Sequence, residues 1–321
     1  MMSLSRAGIA GVLAAVAAAV FYLAVISGGP GGPAGGDSAT GQARAEKLFA
    51  DLKNSEQFKA AGGTVAWKSA EALGKEGVLI RDLSIESKDW DGRPTAVAAA
   101  EVRVRRIDWN NVAMSPHGDI EVIGLTALNR KLSALMVAAG TTTFVADLKA
   151  RWDYKADGRI IDLQTFDLAV REWGTFSLQA RLHGLDFAAL QEMQDGGDID
   201  PAYVMGLMAG AKIGGLSLSL KDSGAIDKLA EKRAQETGSD KKQVIEQALR
   251  ALELQKGAQP HAIVRQAFDA LIQFVRKRGT ITLKAMPERP VPLLRLALNR
   301  PTTQVGIDRL ARELGLSVEA Q

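Results

Sequence analysis

The chain of 321 residues contains no cysteine. That absence excludes thiol catalysis, zinc sites built on thiolates and cysteine-ligated iron–sulfur clusters. Histidine is scarce, and the three present, His117, His183 and His261, stand far apart, with nothing at the spacing of HExxH. Aromatic residues make up only 5% of the chain. Charge of one sign is lacking too. Forty Lys+Arg against 37 Asp+Glu leave +3, which is a mixed surface and not the footprint of a nucleic-acid binder. No GxSxG elbow is present. The glycine-rich stretch from Gly28 to Gly41 follows no strand and carries neither Gly-Lys-Ser/Thr nor GxGxxG. The sequence therefore offers no catalytic, metal or cofactor motif, and no catalytic residue, metal ligand or cofactor is expected. It speaks to architecture and location before chemistry.

What it does contain first is an apolar run, Ala7 to Ser27, of 21 residues without a charge. As a helix this run would rise roughly 30 Å, the thickness of a bilayer core. The expectation is a transmembrane anchor over residues 1–27, a Gly/Pro-rich linker over 28–42, and a main domain over 43–321. A cleaved signal peptide is one rival, with small residues at Ala34, Ala39 and Ala43; a buried helix is another. Arg6 precedes the run, and the first basic residue after it is Arg44. That bias places the N-terminus in the cytoplasm and the main domain in the periplasm, as a single-pass protein of a bacterial inner membrane.

Behind the linker, Arg44 to Ala60 reads as a helix. The period then falls to two, and residues 64–221 are rich in strands. Asp91-Gly92-Arg93-Pro94 is a turn. The phase slips at Arg106-Ile107, as a β-bulge permits. In Phe144 to Lys155, one face carries Phe144, Ala146, Leu148, Ala150, Trp152 and Tyr154. In Thr175 to His183, one face carries Phe176, Leu178, Ala180 and Leu182. Both are half-buried antiparallel strands, and between them Ile161, Leu163, Phe166, Leu168 and Val170 mark another strand with a phase break, with turns at Asp157-Gly158 and Glu172-Trp173-Gly174. Short helices are expected over Leu128 to Ala139, Phe187 to Met193 and Pro201 to Lys212, and strand alternation resumes at Gly215 to Lys221. Residues 223–277 are helix-rich, with Asp240 and Gln243 as a capping pair. Residues 279–321 add a strand at Thr280 to Ala285 and a closing helix from Gln304 to Leu314. The fold class read from these patterns is α+β: an N-terminal transmembrane helix, then an extended curved antiparallel sheet packed against amphipathic helices.

Polar residues fit this pattern without chemistry. Asp147 and Asp153 alternate with Lys149 and Arg151 on the solvent face of a strand. Ser217 and Ser219 alternate with Leu216, Leu218 and Leu220. Arg103, Arg105 and Arg106 are diluted by Glu101 and Asp108, so they read as a solvated strand face, with contact to anionic headgroups as the sharper reading. The five tryptophans, Trp67, Trp90, Trp109, Trp152 and Trp173, fall in or beside strands.

The segments GVLIRDLSIES, AEVRVRRIDW, WDYKADGRIIDLQTFDLAVREWGTFSLQARLHGL and GLSLSLKDSGAIDKLAEKRAQETG resemble the AsmA-like and YdgA-like envelope proteins of Gram-negative bacteria, over about residues 60–286. The resemblance implies elongated, curved sheets with a hydrophobic groove, and a role in phospholipid movement or outer-membrane homeostasis. It implies no catalytic residues. Three functions are then open. The first is an inner-membrane-anchored periplasmic protein that binds phospholipid acyl chains in a groove lined by Phe144, Leu148, Trp152, Phe176, Leu178 and Leu182. The second is a non-enzymatic scaffold for another envelope protein, which requires a closed core and an exposed patch or unpaired edge strand. The third is a hydrolase, which requires converging polar groups. The expected partners are the inner membrane, acyl chains or an envelope protein, and not nucleic acid.

Overall fold

The computed structural model describes residues 41–89, 91–112, 115–128, 144–186, 209–298 and 303–321. They fall into two compact units. The first holds helices α1 (Gly41–Asn54) and α2 (Glu56–Ala60) and strands β1 (Thr64–Ala66), β2 (Ser69–Leu73), β3 (Gly77–Lys88), β4 (Pro94–Ile107) and β5 (His117–Leu128). Strand β3 pairs antiparallel with β4, and β4 with β5. The other edge of β3 is shared by two short strands, β1 and β2.

Helix α1 buries Gly41, Ala45, Phe49 and Leu52, a spacing of four, four and three that puts one stripe on one side. The helix begins at Gly41, inside the expected linker. A Cβ at Gly41 would stand 2.3 Å from the backbone of Glu71, so only glycine allows the helix to approach β2 this closely. Arg44 donates from Nη1 to the Gly77 carbonyl at 2.7 Å and from Nη2 to the Lys75 carbonyl, tying α1 to the β2–β3 turn. Phe49 stacks near Trp67 with ring centroids 5.7 Å apart, and the Lys53 ammonium lies 4.6 Å from the Trp67 ring centre. The core beneath α1 is tight: Val78, Ile80 and Val104 are each 0% exposed.

Two irregularities explain the broken alternation of this unit. In β3 the buried residues are Val78 and Ile80, then Leu83 and Ile85. In β4 they are Ala99, then Val102 and Val104, then Ile107. In β5, Ile120 and Val122 pack on the core, then Leu125 is buried. Each strand changes phase at one level, through Asp82, Ala100 and Gly124. Asp82 has φ 52 and Gly124 has φ 65. A shared extra half-pleat keeps the strands in register while it switches their buried side. Further along, Arg105 is a bulge residue, because Val104 pairs with Ile120 and Arg106 with Asp119. This is the phase slip seen in the sequence.

The second unit runs β6 (Val145–Lys155), β7 (Ile160–Val170), β8 (Gly174–His183), β9 (Lys212–Asp222), β10 (Thr280–Ala285), β11 (Val291–Pro292) and β12 (Leu316–Ala320). Its sheet order is β6-β7-β8-β9-β10-β12, with β11 also on β9. A single 3-10 turn, Ala156–Gly158, joins β6 to β7, and Arg171–Trp173 joins β7 to β8. Residues 164 and 165 of β7 together oppose Gln179, so Leu163 and Phe166 both stay on the apolar side. That bulge accounts for the three-residue gap in the β7 pattern.

Helices α3 (Ala225–Thr237), α4 (Lys241–Gly257) and α5 (Ala262–Lys277) follow β9, and α6 (Leu293–Leu298) and α7 (Gln304–Glu313) precede β12. The Asp222 carboxylate accepts the Ile226 amide at 3.1 Å at the start of α3. Asp240 does hold the N-cap position of α4, but its side chain makes no cap bond, so the expected capping pair is absent there. Helix α5 buries Ala270, Ile272 and Phe274 and packs against β12 and α4. Asp227 binds Lys241 at 3.1 Å and Arg278 at 3.3 Å, which joins the start of α3 to the start of α4 and the end of α5.

The expected fold class needs correction. It included a transmembrane helix, yet among the described residues no helix is long and apolar enough to cross a membrane. The apolar run 7–27 and the linker up to residue 40 lie outside the described residues, as do Trp90 and most of the helices expected over Leu128–Ala139, Phe187–Met193 and Pro201–Lys212, whose described ends Leu128 and Lys212 belong to β5 and β9. The expected curved sheet is likewise replaced by an extensive antiparallel sheet that is open, with β12 at its end. What stands is an α+β fold. The inner-membrane, single-pass, cytoplasmic-N-terminus and periplasmic placements are withdrawn, because no described helix is long and apolar enough to carry them.

Candidate functional site

Register defines the apolar face of the second unit. One row runs Leu148, Leu168, Phe176, Leu220, Ile281, Ala320 across six strands. The next runs Ala150, Phe166, Leu178, Leu218, Leu283, Val318. A third runs Trp152, Leu163, Ala180, Leu216, Ala285, Leu316. The sequence-nominated residues Leu148, Trp152, Phe176, Leu178 and Leu182 all share this face, since Leu182 pairs with Ile161 in the same phase. Leu148 is only 1% exposed. Phe144, just before β6, is 6% exposed. Trp152, Phe176, Leu178 and Leu182 are half-buried, and Phe166 meets Phe176 edge-on with centroids 6.3 Å apart.

These positions overturn the lipid-carrying role. Leu148 is buried, and among the described residues no helix is long and apolar enough to cross a membrane. The inner membrane and phospholipid acyl chains are withdrawn as partners, and an envelope setting is withdrawn with them.

Among the described residues the three histidines stand apart. His117 opens β5, the ring of His183 lies over Gly214, and His261 precedes α5 with Nδ1 3.6 Å from the Asp308 carboxylate. Among the described residues no group of three His, Asp or Glu side chains could hold a metal ion. The arginines of β4 are engaged. Arg103 pairs with Glu101 at 2.5 Å and Glu121 at 3.5 Å, and Arg105 pairs with Glu121 at 2.6 Å and Asp119 at 3.5 Å. The hydrogen bond from Arg105 holds the Glu121 carboxyl below its ordinary range. On the polar face of the second unit, Asp162 binds Arg181 at 3.1 Å and Gln164 donates to Asp153 at 2.7 Å.

Among the described residues, one sheet edge is strand β12, which the period-two patterns above do not include. Strand β12 follows α7 through Gly315, whose φ is 56 and whose Cβ, if present, would stand 2.3 Å from the Met286 carbonyl. Its inner side bonds β10. The pair Thr280–Gln321 exchanges both bonds, N–H to O at 3.0 and 2.9 Å, and Met286 donates to Gly315 O at 3.4 Å. Antiparallel ladders alternate, so Glu319 and Ser317 bond Thr282 and Lys284. Leu316, Val318 and Ala320 then turn their N–H and C=O groups away from β10. Among the described residues no strand pairs with that outer side. The strand carries no proline, no lysine and no bulge; it is short, holds one charge at Glu319, and packs against α5. A signal for it was present: Leu316, Val318 and Ala320 alternate with Ser317 and Glu319 directly after a glycine.

A protein-family model described only as "Uncharacterized protein" matches residues 167–321, a stretch that begins within β7 and takes in β8 to β12. No curated protein matches the chain. Neither comparison bears on the AsmA-like and YdgA-like resemblance.

Proposed function

We propose that the chain is a non-enzymatic protein-binding scaffold that receives an extended segment of a partner along β12. The observation that supports this reading is the outward-facing backbone of Leu316, Val318 and Ala320 at the end of an otherwise well-paired sheet. Main-chain bonds along such an edge provide affinity, and alternate side chains provide specificity. The apolar rows ending at Leu316, Val318 and Ala320 would continue into the partner strand. Within the second unit, Leu148 and Leu168 are buried on the same face whose rows end at β12.

The test uses proline as a probe of one N–H group. Proline is tolerated in an edge strand where its nitrogen faces outward. A tagged full-length chain recovered from its own cells is compared with the Val318→Pro and Val318→Thr variants. The reading expects a protein companion, another copy of the chain included, that is held by the unaltered chain and by Val318→Thr but lost from Val318→Pro. The same companions on all three would sink it.

A further inference from the structure

Resting on the edge reading above, the geometry points to a second copy of this chain as the occupant, joined β12 to β12 across a two-fold axis with Val318 opposite Val318. An antiparallel partner must turn its own bonding residues toward Leu316, Val318 and Ala320. A second β12 does so, because its outward residues have the same spacing. With Val318 opposite itself, Leu316 opposes Ala320 and all three outward residues of each strand are paired. Any other two-fold register leaves at least one of them without a partner within the strand.

Side chains agree with that register. It places Glu319 opposite Ser317 and not opposite a second Glu319, so like charges do not meet across the junction. Glu319 keeps its own cation, Lys284 at 3.3 Å. On the other face, the row Leu218, Leu283, Val318 passes directly into Val318, Leu283, Leu218 of the second copy. The row ending Ile281, Ala320 meets Leu316, Ala285. The apolar face would therefore continue across the axis without a polar break. An isologous contact of this kind closes on itself and uses up both edges, which blocks open-ended addition of strands.

The absence of cysteine makes a direct test available, because a single introduced thiol is the only one in the chain. Directly opposed residues of a hydrogen-bonded antiparallel pair have Cα atoms about 5.5 Å apart, within the range that a disulfide spans. Full-length Val318→Cys and Glu319→Cys are oxidised mildly at equal concentration. The expected result is a covalent dimer from Val318→Cys, formed at least about tenfold faster than from Glu319→Cys, with sedimentation of the unaltered chain showing a concentration-dependent dimer. Equal, slow cross-linking of both variants, or a chain that stays monomeric throughout, overturns the second copy. Amide exchange in the same samples separates two failures. If Leu316, Val318 and Ala320 exchange rapidly, the edge is open and only the choice of partner is wrong. If they are protected in a monomer, the chain covers its own edge and the scaffold reading falls as well. Ala320→Cys, which opposes Leu316, serves as a second slow control should Glu319→Cys fold poorly.

Discussion

The two units carry the same kind of alternating strand and finish it differently. In the first, Val78, Ile80 and Val104 are sealed under α1, and the free side of β3 is divided between β1 and β2. In the second, most of the apolar face is half-buried, Leu220 is 45% exposed, and among the described residues no strand pairs with the outer side of β12. The contrast teaches that alternation specifies which side of a strand is apolar. It does not specify how completely that side is covered, because coverage depends on where distant helices dock.

The largest expected effect tests coverage itself. Ile80→Ala should destabilise the protein by about 2–5 kcal/mol, since it removes a fully enclosed side chain and leaves a cavity. Leu220→Ala should cost no more than about 1 kcal/mol, because nearly half of that side chain already meets water. Chemical denaturation of the two variants checks the difference, and equal losses would erase the distinction between the units.

A second pair of variants tests the edge. Glu319→Pro removes the amide that bonds Thr282 and should cost about 1–3 kcal/mol, while Val318→Pro removes one that faces outward and should cost less than about 1 kcal/mol. Thermal melts read this contrast directly. A third pair tests the phase switch in the first unit. Asp82, at φ 52, would be strained by a β-branched residue, so Asp82→Val should lose about 1–2 kcal/mol while Asp82→Gly should be neutral or slightly stabilising.

The smallest effect is electrostatic. Glu121 has a folded pKa held below its unfolded value, chiefly by the Arg105 hydrogen bond. The stabilisation is therefore present above the unfolded carboxylate range and is lost as pH falls through the lower folded value. Arg105 is partly exposed, so the contribution should be below about 1 kcal/mol. Arg105→Ala should flatten the acid limb of a stability–pH curve slightly and leave stability on the alkaline side of that limb reduced by the same small amount.

Much of the fold was legible because period-two patterns are short-range. Strands β6, β8 and β10 lie within a few residues of where Phe144–Lys155, Thr175–His183 and Thr280–Ala285 placed them, and the slip at Arg106 proved to be the Arg105 bulge. The concerted switch at Asp82, Ala100 and Gly124 was not legible, because each strand shows only its own break and the match between them is tertiary. Asp240 stood at the N-cap as its type suggests, yet its side-chain bond did not follow. Leu148 and Leu220 read alike in sequence and differ widely in burial, which is why a groove could be imagined where part of the face is core. Strand β12 was missed because five residues after a helix carry little pattern of their own.

The most direct test of an open β12 edge is residue-resolved amide hydrogen exchange on the full chain at low concentration. Ser317, Glu319 and Gln321 should exchange slowly, and Leu316, Val318 and Ala320 quickly, in strict alternation. Slow exchange at all six positions would contradict the account, because it would mean that the outer side of β12 is already bonded within the chain.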